Sequence, residues 1–156
     1  MRKLVALAVA LLVVTVVTAG AFAATRTTHA SSVTVSAKKV DGLGKVLVTS
    51  KGLTLYMFVP DKQKKVTCVK TCAAIWPPLK AAKGAKLVAL GGVKHSLLGT
   101  DKDPSGGLVV TYDKWPLYTY VADRKPGQAS GQRLNSAGGL WYVLAVSGKV
   151  VKTKVK

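Results

Sequence analysis

The sequence predicts a mostly β fold: one small antiparallel β domain built from two related hairpin repeats, with a short helical turn near Ala73–Ile75. Three observations lead there. Short Val, Leu, Tyr and Trp runs are punctuated by Gly, Pro, Asp and Lys, the pattern of many short strands joined by turns. No long stretch carries a helical period. Most informative, VTSKGLTLYMFVPD (Val48 to Asp61) returns as VTYDKWPLYTYVAD (Val110 to Asp123) at a constant offset of 62 residues. Val48 matches Val110, Leu55 Leu117, Tyr56 Tyr118, Val59 Val121 and Asp61 Asp123, with Phe58 opposite Tyr120. Trp76 corresponds to Trp141 if the second copy carries three extra residues.

The chain begins with Met1-Arg2-Lys3 and an almost unbroken Leu/Val/Ala run from Leu4 to Val17, an export signal's positive start and apolar middle. Ala21-Phe22-Ala23 has the small-x-small form that signal peptidase reads, which makes 1–23 a signal peptide. An uncleaved N-terminal anchor is the alternative, since about 18 apolar residues can span a bilayer. No Cys lies near the cleavage point, so there is no lipobox for a lipid anchor. Residues 24–44 are rich in Ser, Thr, Ala and Lys and read as a flexible basic tether. The two-repeat domain follows over 45–151, with repeat 1 at about 45–80 and repeat 2 at about 107–148, and 152–156 form a basic tail.

Within each repeat a strand, a turn at Ser50-Lys51-Gly52 or Tyr112-Asp113-Lys114, and an aromatic strand form a hairpin. Period two puts Tyr56 and Phe58 on one face with Pro60, and Leu55, Met57 and Val59 on the other. With both faces apolar, the strand belongs between two layers, its Tyr hydroxyls finding partners at the core's edge. Asp61 and Asp123 close their strands, and the economical reading is a turn role in which the carboxylate accepts backbone N–H bonds. Trp76-Pro77-Pro78-Leu79 ends the helical turn, because proline cannot continue it, and supplies a packing Trp. At the C-terminus Leu140 to Val146, a Ser147-Gly148 turn and Val150-Val151 make a last hairpin.

Removing residues 1–23 lowers the formal charge only from +18 to +16, by the loss of Arg2 and Lys3. All six acids are Asp, and almost all cations are Lys. A Lys surface argues against sequence-specific nucleic acid, which Arg forks read best. It suits diffuse attraction to an anionic cell-envelope polymer or lipid surface, or simple solubility of an exported domain. The sequence sets no oligomeric state. Nor does it offer a nucleophile elbow, a phosphate loop or a His cluster, so no catalytic residue, cofactor or metal is assigned. His95 reads as a surface residue. Asp101-Lys102-Asp103-Pro104-Ser105-Gly106 begins like a calcium loop, but Tyr112 stands where the closing Glu belongs, which leaves a polar turn.

The strongest chemical feature is Cys68-Val69-Lys70-Thr71-Cys72. In an exported chain the simplest reading is a structural disulfide. The alternative is an extracytoplasmic redox or copper-handling site, the thiolates favoured by Lys65 and Lys70. Against that stand the spacing, which is not Cys-x-x-Cys, and the scarcity of His and Met.

Tyr56-Met57-Phe58-Val59-Pro60-Asp61 and Tyr118-Thr119-Tyr120-Val121-Ala122-Asp123, with Cys68, Cys72, Trp76-Pro77-Pro78-Leu79, Pro116-Leu117-Tyr118 and Trp141-Tyr142, resemble a bacterial secreted-repeat family. These are predicted lipoproteins with a conserved Tyr-x-(Phe/Trp/Tyr)-x-x-Asp motif. The resemblance spans about Lys45 to Gly148 and implies an exported bacterial protein whose family has no established biochemical activity, with Tyr56, Phe58, Asp61, Trp76, Pro77, Pro78, Tyr118, Tyr120, Asp123 and Trp141 as its motif residues; the absence of a catalytic motif makes the module a non-enzymatic one. Two departures stand out: relatives have Gly where this chain has Lys70 and Lys114, which asks Lys to take up turns that Gly makes easy.

Overall fold

Alternating side chains and closely spaced turns produce, among the described residues, ten short strands, one α-helical turn and two 3-10 turns. The computed structural model describes residues 31–63 and 65–154. The strands are β1 (Ser32–Val40), β2 (Gly44–Thr49), β3 (Tyr56–Phe58), β4 (Lys80–Ala81), β5 (Lys86–Ala89), β6 (Leu98–Lys102), β7 (Leu108–Tyr112), β8 (Trp115–Pro116), β9 (Asn135–Ser136) and β10 (Gly139–Val143), and α1 spans Thr71–Ile75. Three small sheets run in the orders β2-β1-β5, β3-β10-β9 and β4-β7-β6, with β8 also paired to β7. All pairs are antiparallel except β1 with β5. The fold is mostly β, as the sequence predicts.

Two hydrophobic clusters lie on either side of β3. Tyr56 and Phe58 enter one with Val46, Cys68, Trp76, Tyr118, Trp141 and Val143. Leu55 and Met57 enter the other with Val35, Leu47, Val110, Tyr112, Leu117 and Leu144. The doubly apolar strand is therefore buried on both faces. Val59 is the exception at 42% exposure, because the chain leaves the extended conformation there and enters a 3-10 turn, Val59–Asp61, with Pro60 in its first turn.

Each repeat is larger than its motif. In both, an additional strand precedes the hairpin and pairs antiparallel with its first strand: β1 on β2 and β6 on β7. The tether expected over 24–44 is thereby corrected from Ser32 onward. Val33, Val35 and Ala37 alternate with Thr34, Ser36 and Lys38, and this one apolar face packs on the second cluster, which a Ser/Thr/Lys composition conceals. The expected signal peptide and the first part of the tether lie outside the described residues. The expected 152–156 tail is partly tied down, since Gln132 Nε2 donates to the carbonyls of Val151 (2.7 Å) and Thr153 (2.9 Å).

Turn chemistry differs between the copies. In the first hairpin Thr49 N–H donates to Leu53 O at 2.8 Å around Ser50-Lys51-Gly52. The second pairs Tyr112 with Trp115, leaving only Asp113 (φ 47°) and Lys114 (φ 68°) in the loop. Two central residues at positive φ are the signature of a type I′ turn, which Gly fills without cost and Lys does not. Lys70 sits at φ 53° and ψ −120°, likewise a conformation that suits Gly. Lys70 and Lys114, the two positions at which the resemblance leads one to expect Gly, therefore both sit at positive φ.

Candidate functional site: crossed tyrosine–aspartate pairs around an aromatic stack

The two motif tyrosines meet. Tyr56 and Tyr118 form an antiparallel bridge in which each N–H donates to the other's carbonyl, at 2.8 and 2.9 Å. Equivalent residues paired in this way define a local two-fold axis, and the motif aspartates and the stacked rings are exchanged across it. The Tyr118 hydroxyl donates to Asp61 Oδ2 at 2.6 Å, and the Tyr56 hydroxyl donates to Asp123 Oδ2. Each phenol thus reaches the aspartate of the other repeat, not its own. Asp61 Oδ1 also accepts from Thr67 N (2.8 Å) and Thr67 Oγ1 (2.6 Å), and Asp123 Oδ1 accepts from Ser130 N (2.9 Å). The turn role expected for these aspartates and the bond to tyrosine coexist on different oxygens.

All four groups are sealed in. Tyr56, Tyr118 and Asp61 are fully buried, and Asp123 is 4% exposed. Burial, reinforced by the facing carboxylates, pushes both phenols far above the ordinary tyrosine range. The Asp61 carboxyl is also raised by burial, against the lowering effect of its hydrogen bonds from Thr67 and Tyr118. A carboxylate that accepts several hydrogen bonds is satisfied while buried, and each such bond contributes about 1.5–3 kcal/mol.

The aromatic residues follow the same exchange. Phe58 stacks on Trp141 (4.2 Å between centroids), Trp141 on Trp76 (3.8 Å, 2° between planes) and Trp76 on Tyr120 (4.2 Å). Tyr56 meets Trp76 edge-on at 5.4 Å and Tyr118 meets Trp141 edge-on at 5.2 Å. The result is a four-ring column through the axis. Ser136 breaks the symmetry by serving both indoles: its carbonyl accepts from Trp141 Nε1 at 3.0 Å and its hydroxyl lies 3.4 Å from Trp76 Nε1. Gly131 is required beside the column, because a Cβ there would lie 2.6 Å from the Trp76 ring.

Cys68 and Cys72 form a disulfide with Cα atoms 5.2 Å apart, enclosing the start of α1. Cys68 is buried beneath the Trp76 cluster and Cys72 is half-buried at its rim. Pro77 and Pro78 lie alongside: the Pro77 carbonyl accepts from Thr119 N at 2.9 Å, and Pro78 bridges to Tyr118. The chemistry-bearing residues singled out from the sequence therefore converge on one centre, with the exception of His95, which is exposed and places Nε2 3.2 Å from Leu87 O. The Asp101–Gly106 stretch is also separate. Asp103 pairs with Lys80 and accepts from Ser105 N at 2.6 Å, in a polar turn. Among the described residues no cluster of three or more His, Cys, Asp or Glu could hold a metal ion.

Sequence reasoning missed Thr67, Ser130, Ser136 and Gln132, whose Oε1 accepts from Val143 N at 2.9 Å. Their only sequence signal is a position in the loop that follows the motif aspartate, six residues on for Thr67 and seven to thirteen for Ser130, Gln132 and Ser136, which is too general to single them out. Tyr120 is only partly buried at the end of the stack, whereas the phenols of Tyr56 and Tyr118 and the carboxylates of Asp61 and Asp123 all face inward and are engaged with one another. They lock two repeats together, and the surface is left to other residues.

Comparison with known proteins agrees with this duplication. A family model described as "Secreted repeat of unknown function" matches the chain twice, over residues 38–80 and 99–145. These matches take in the end of β1 from residue 38 and β6 from residue 99, the strands that extend each repeat upstream of its motif. Neither the curated proteins nor the solved structures returned a match. With its two matched stretches folded as exchanged halves about one axis, the chain belongs to the secreted-repeat family of unknown function.

Proposed function

We propose that this protein is a non-enzymatic, secreted or surface-associated module that binds anionic components of the cell envelope. The observation that carries this reading is the disposal of its acids. Of six aspartates, Asp61, Asp103 and Asp123 are buried, Asp61 and Asp123 against tyrosines and Asp103 against Lys80. Among the described residues that Lys80–Asp103 contact is the single ion pair. The lysines therefore face solvent almost unopposed, and the outward charge is more lopsided than the composition suggests. Such a surface attracts anionic polymers and lipids over about a Debye length, ~8 Å at physiological salt.

The test is retention of the exported protein on anionic vesicles and on a soluble anionic wall polymer across a salt series. Binding that weakens steeply with salt on both supports the reading; no retention at low salt overturns it. The alternative, redox or copper handling through Cys68 and Cys72, is favoured only by the partial exposure of Cys72. Mass spectrometry with thiol alkylation decides it: thiols that label without prior reduction, or one copper equivalent lost in Cys68→Ser, would put that reading first.

A further inference from the structure

The exchange that buries the motif leaves two exposed aliphatic pairs, each made of one residue from either repeat. In the first, Trp141 pairs with Phe58 at the end of that register, and Gly139 lies against Pro60, where a Cβ would come 2.5 Å from the proline ring, which sets Leu140 near Val59 at the start of the 3-10 turn. In the second, Pro78 bridges to Tyr118 and Val121 N–H donates to Ile75 O at 3.1 Å, which sets Ile75 beside Val121. The two pairs are equivalent: Val59 and Val121 hold the same place in the repeated motif, and Leu140 and Ile75 each precede the stacked Trp. Val59 is 42% exposed, Leu140 38%, Val121 50% and Ile75 43%. Leu90 apart, these are the exposed large hydrophobic residues among those described. A singly exposed aliphatic is ordinary, but the same exposed pair built twice from equivalent positions is not accounted for by scatter.

Each pair is bordered by cations. Lys62 follows Asp61 and Arg124 follows Asp123 at equivalent positions; both are exposed, whereas the aspartates before them point into the core. Lys65 and Lys125 are exposed a little further on. An apolar tip beside uncompensated cations matches the interface of an anionic bilayer, where headgroups meet Lys and Arg and the acyl boundary takes aliphatic side chains. A second copy of this chain is a poorer occupant, because the like charge of two such basic chains repels. A soluble polyanion satisfies the cations but offers nothing to the aliphatic pairs.

We infer that the Val59/Leu140 and Val121/Ile75 pairs are two equivalent lipid-inserting tips through which the protein docks on anionic phospholipid. This rests on the anionic-surface reading and assigns it a specific lipid contact. The experiment is co-sedimentation of the exported protein with phosphatidylcholine vesicles containing phosphatidylglycerol. Wild type is compared with Val59→Ser/Leu140→Ser, Val121→Ser/Ile75→Ser and the combination of all four, after thermal melts show that each is folded. Each double substitution is expected to lower vesicle affinity about tenfold, and the combination further, while binding to a soluble anionic wall polymer is unchanged. Val121→Trp, which adds an interfacial aromatic without removing anything from the core, is expected to raise vesicle affinity. Wild-type binding to both vesicles and polymer, with the four-fold variant indistinguishable on vesicles, would overturn the inference and leave the anionic-surface reading standing. No wild-type binding to either overturns both. Concentration-dependent dimers abolished by the same substitutions would replace lipid with a second copy.

Discussion

Raising the pH above the ordinary tyrosine range should steadily destabilise this protein. Tyr56 and Tyr118 have their phenols pushed up from 10.0 by burial and by the facing Asp123 and Asp61 carboxylates. Tyr112, whose hydroxyl donates to Val146 O at 2.6 Å, is raised by burial as well. In the native state these phenols keep their protons, whereas in the unfolded chain they lose them near pH 10. Because the folded pKa lies above the unfolded one, the native state binds more protons, and stability falls as pH rises through that window. Each phenol contributes about 1.4 kcal/mol per pH unit, so Tyr56 and Tyr118 together remove roughly 3 kcal/mol by one unit above their unfolded pKa. That is a large share of a typical net stability of about 5–15 kcal/mol. Urea denaturation at successive pH values reads the loss, and Tyr118→Phe should reduce the alkaline slope by about 1.4 kcal/mol per pH unit while lowering stability at neutral pH. Phenolate absorbance from all five tyrosines developing near pH 10 while the fold persists would refute the argument, as would an unchanged slope in Tyr118→Phe.

Other outcomes follow from the geometry. Lys114→Gly and Lys70→Gly should each raise thermal stability by up to about 1 kcal/mol, since relief of a left-handed non-Gly residue outweighs the entropy that Gly adds to the unfolded chain; a lower melting temperature for both would count against the assigned turns. Gly131→Ala should cost about 1–3 kcal/mol by driving a methyl into the Trp76 ring, visible as a lowered urea midpoint. Replacing Cys68 and Cys72 together by Ser should cost only about 2 kcal/mol, because so small a ring constrains the unfolded chain little; complete loss of folding would show that the bridge does more. In acid, two groups oppose each other. Asp61, raised by burial, favours the fold below its unfolded value of 3.8 and loses that contribution as pH rises through its folded value; Asp103, held down by Lys80 and Ser105 against its own burial, does the reverse. Asp103→Asn should therefore flatten the acid limb of a stability–pH curve, and a steeper limb would contradict the assignment.

Strand-rich architecture, the repeat, the burial of β3 on both faces and the positions of the turns were legible in residues 45–123, because period two and turn chemistry are local properties of the chain, but the aromatic strand expected in the second copy is only β8 followed by isolated bridges at Tyr118. β1 escaped notice for the opposite reason. Its apolar face is only Val33, Val35 and Ala37 set among Ser, Thr and Lys, and it becomes a strand by pairing with β2 and β5, which no local pattern announces.

By itself the sequence determined that two copies of one unit exist and which residues they share. Only the tertiary structure decided which copy serves which. Tyr56 and Asp61 are five residues apart and Tyr118 and Asp123 likewise, so a local reading keeps each motif self-contained. The Tyr56–Tyr118 bridge instead sets equivalent residues face to face, and the rotation it imposes carries each aspartate, each outer ring and each indole to the partner repeat. Hydrogen bonding and stacking depend on distance in space, and that distance is set by the axis between the repeats, which neither repeat contains alone.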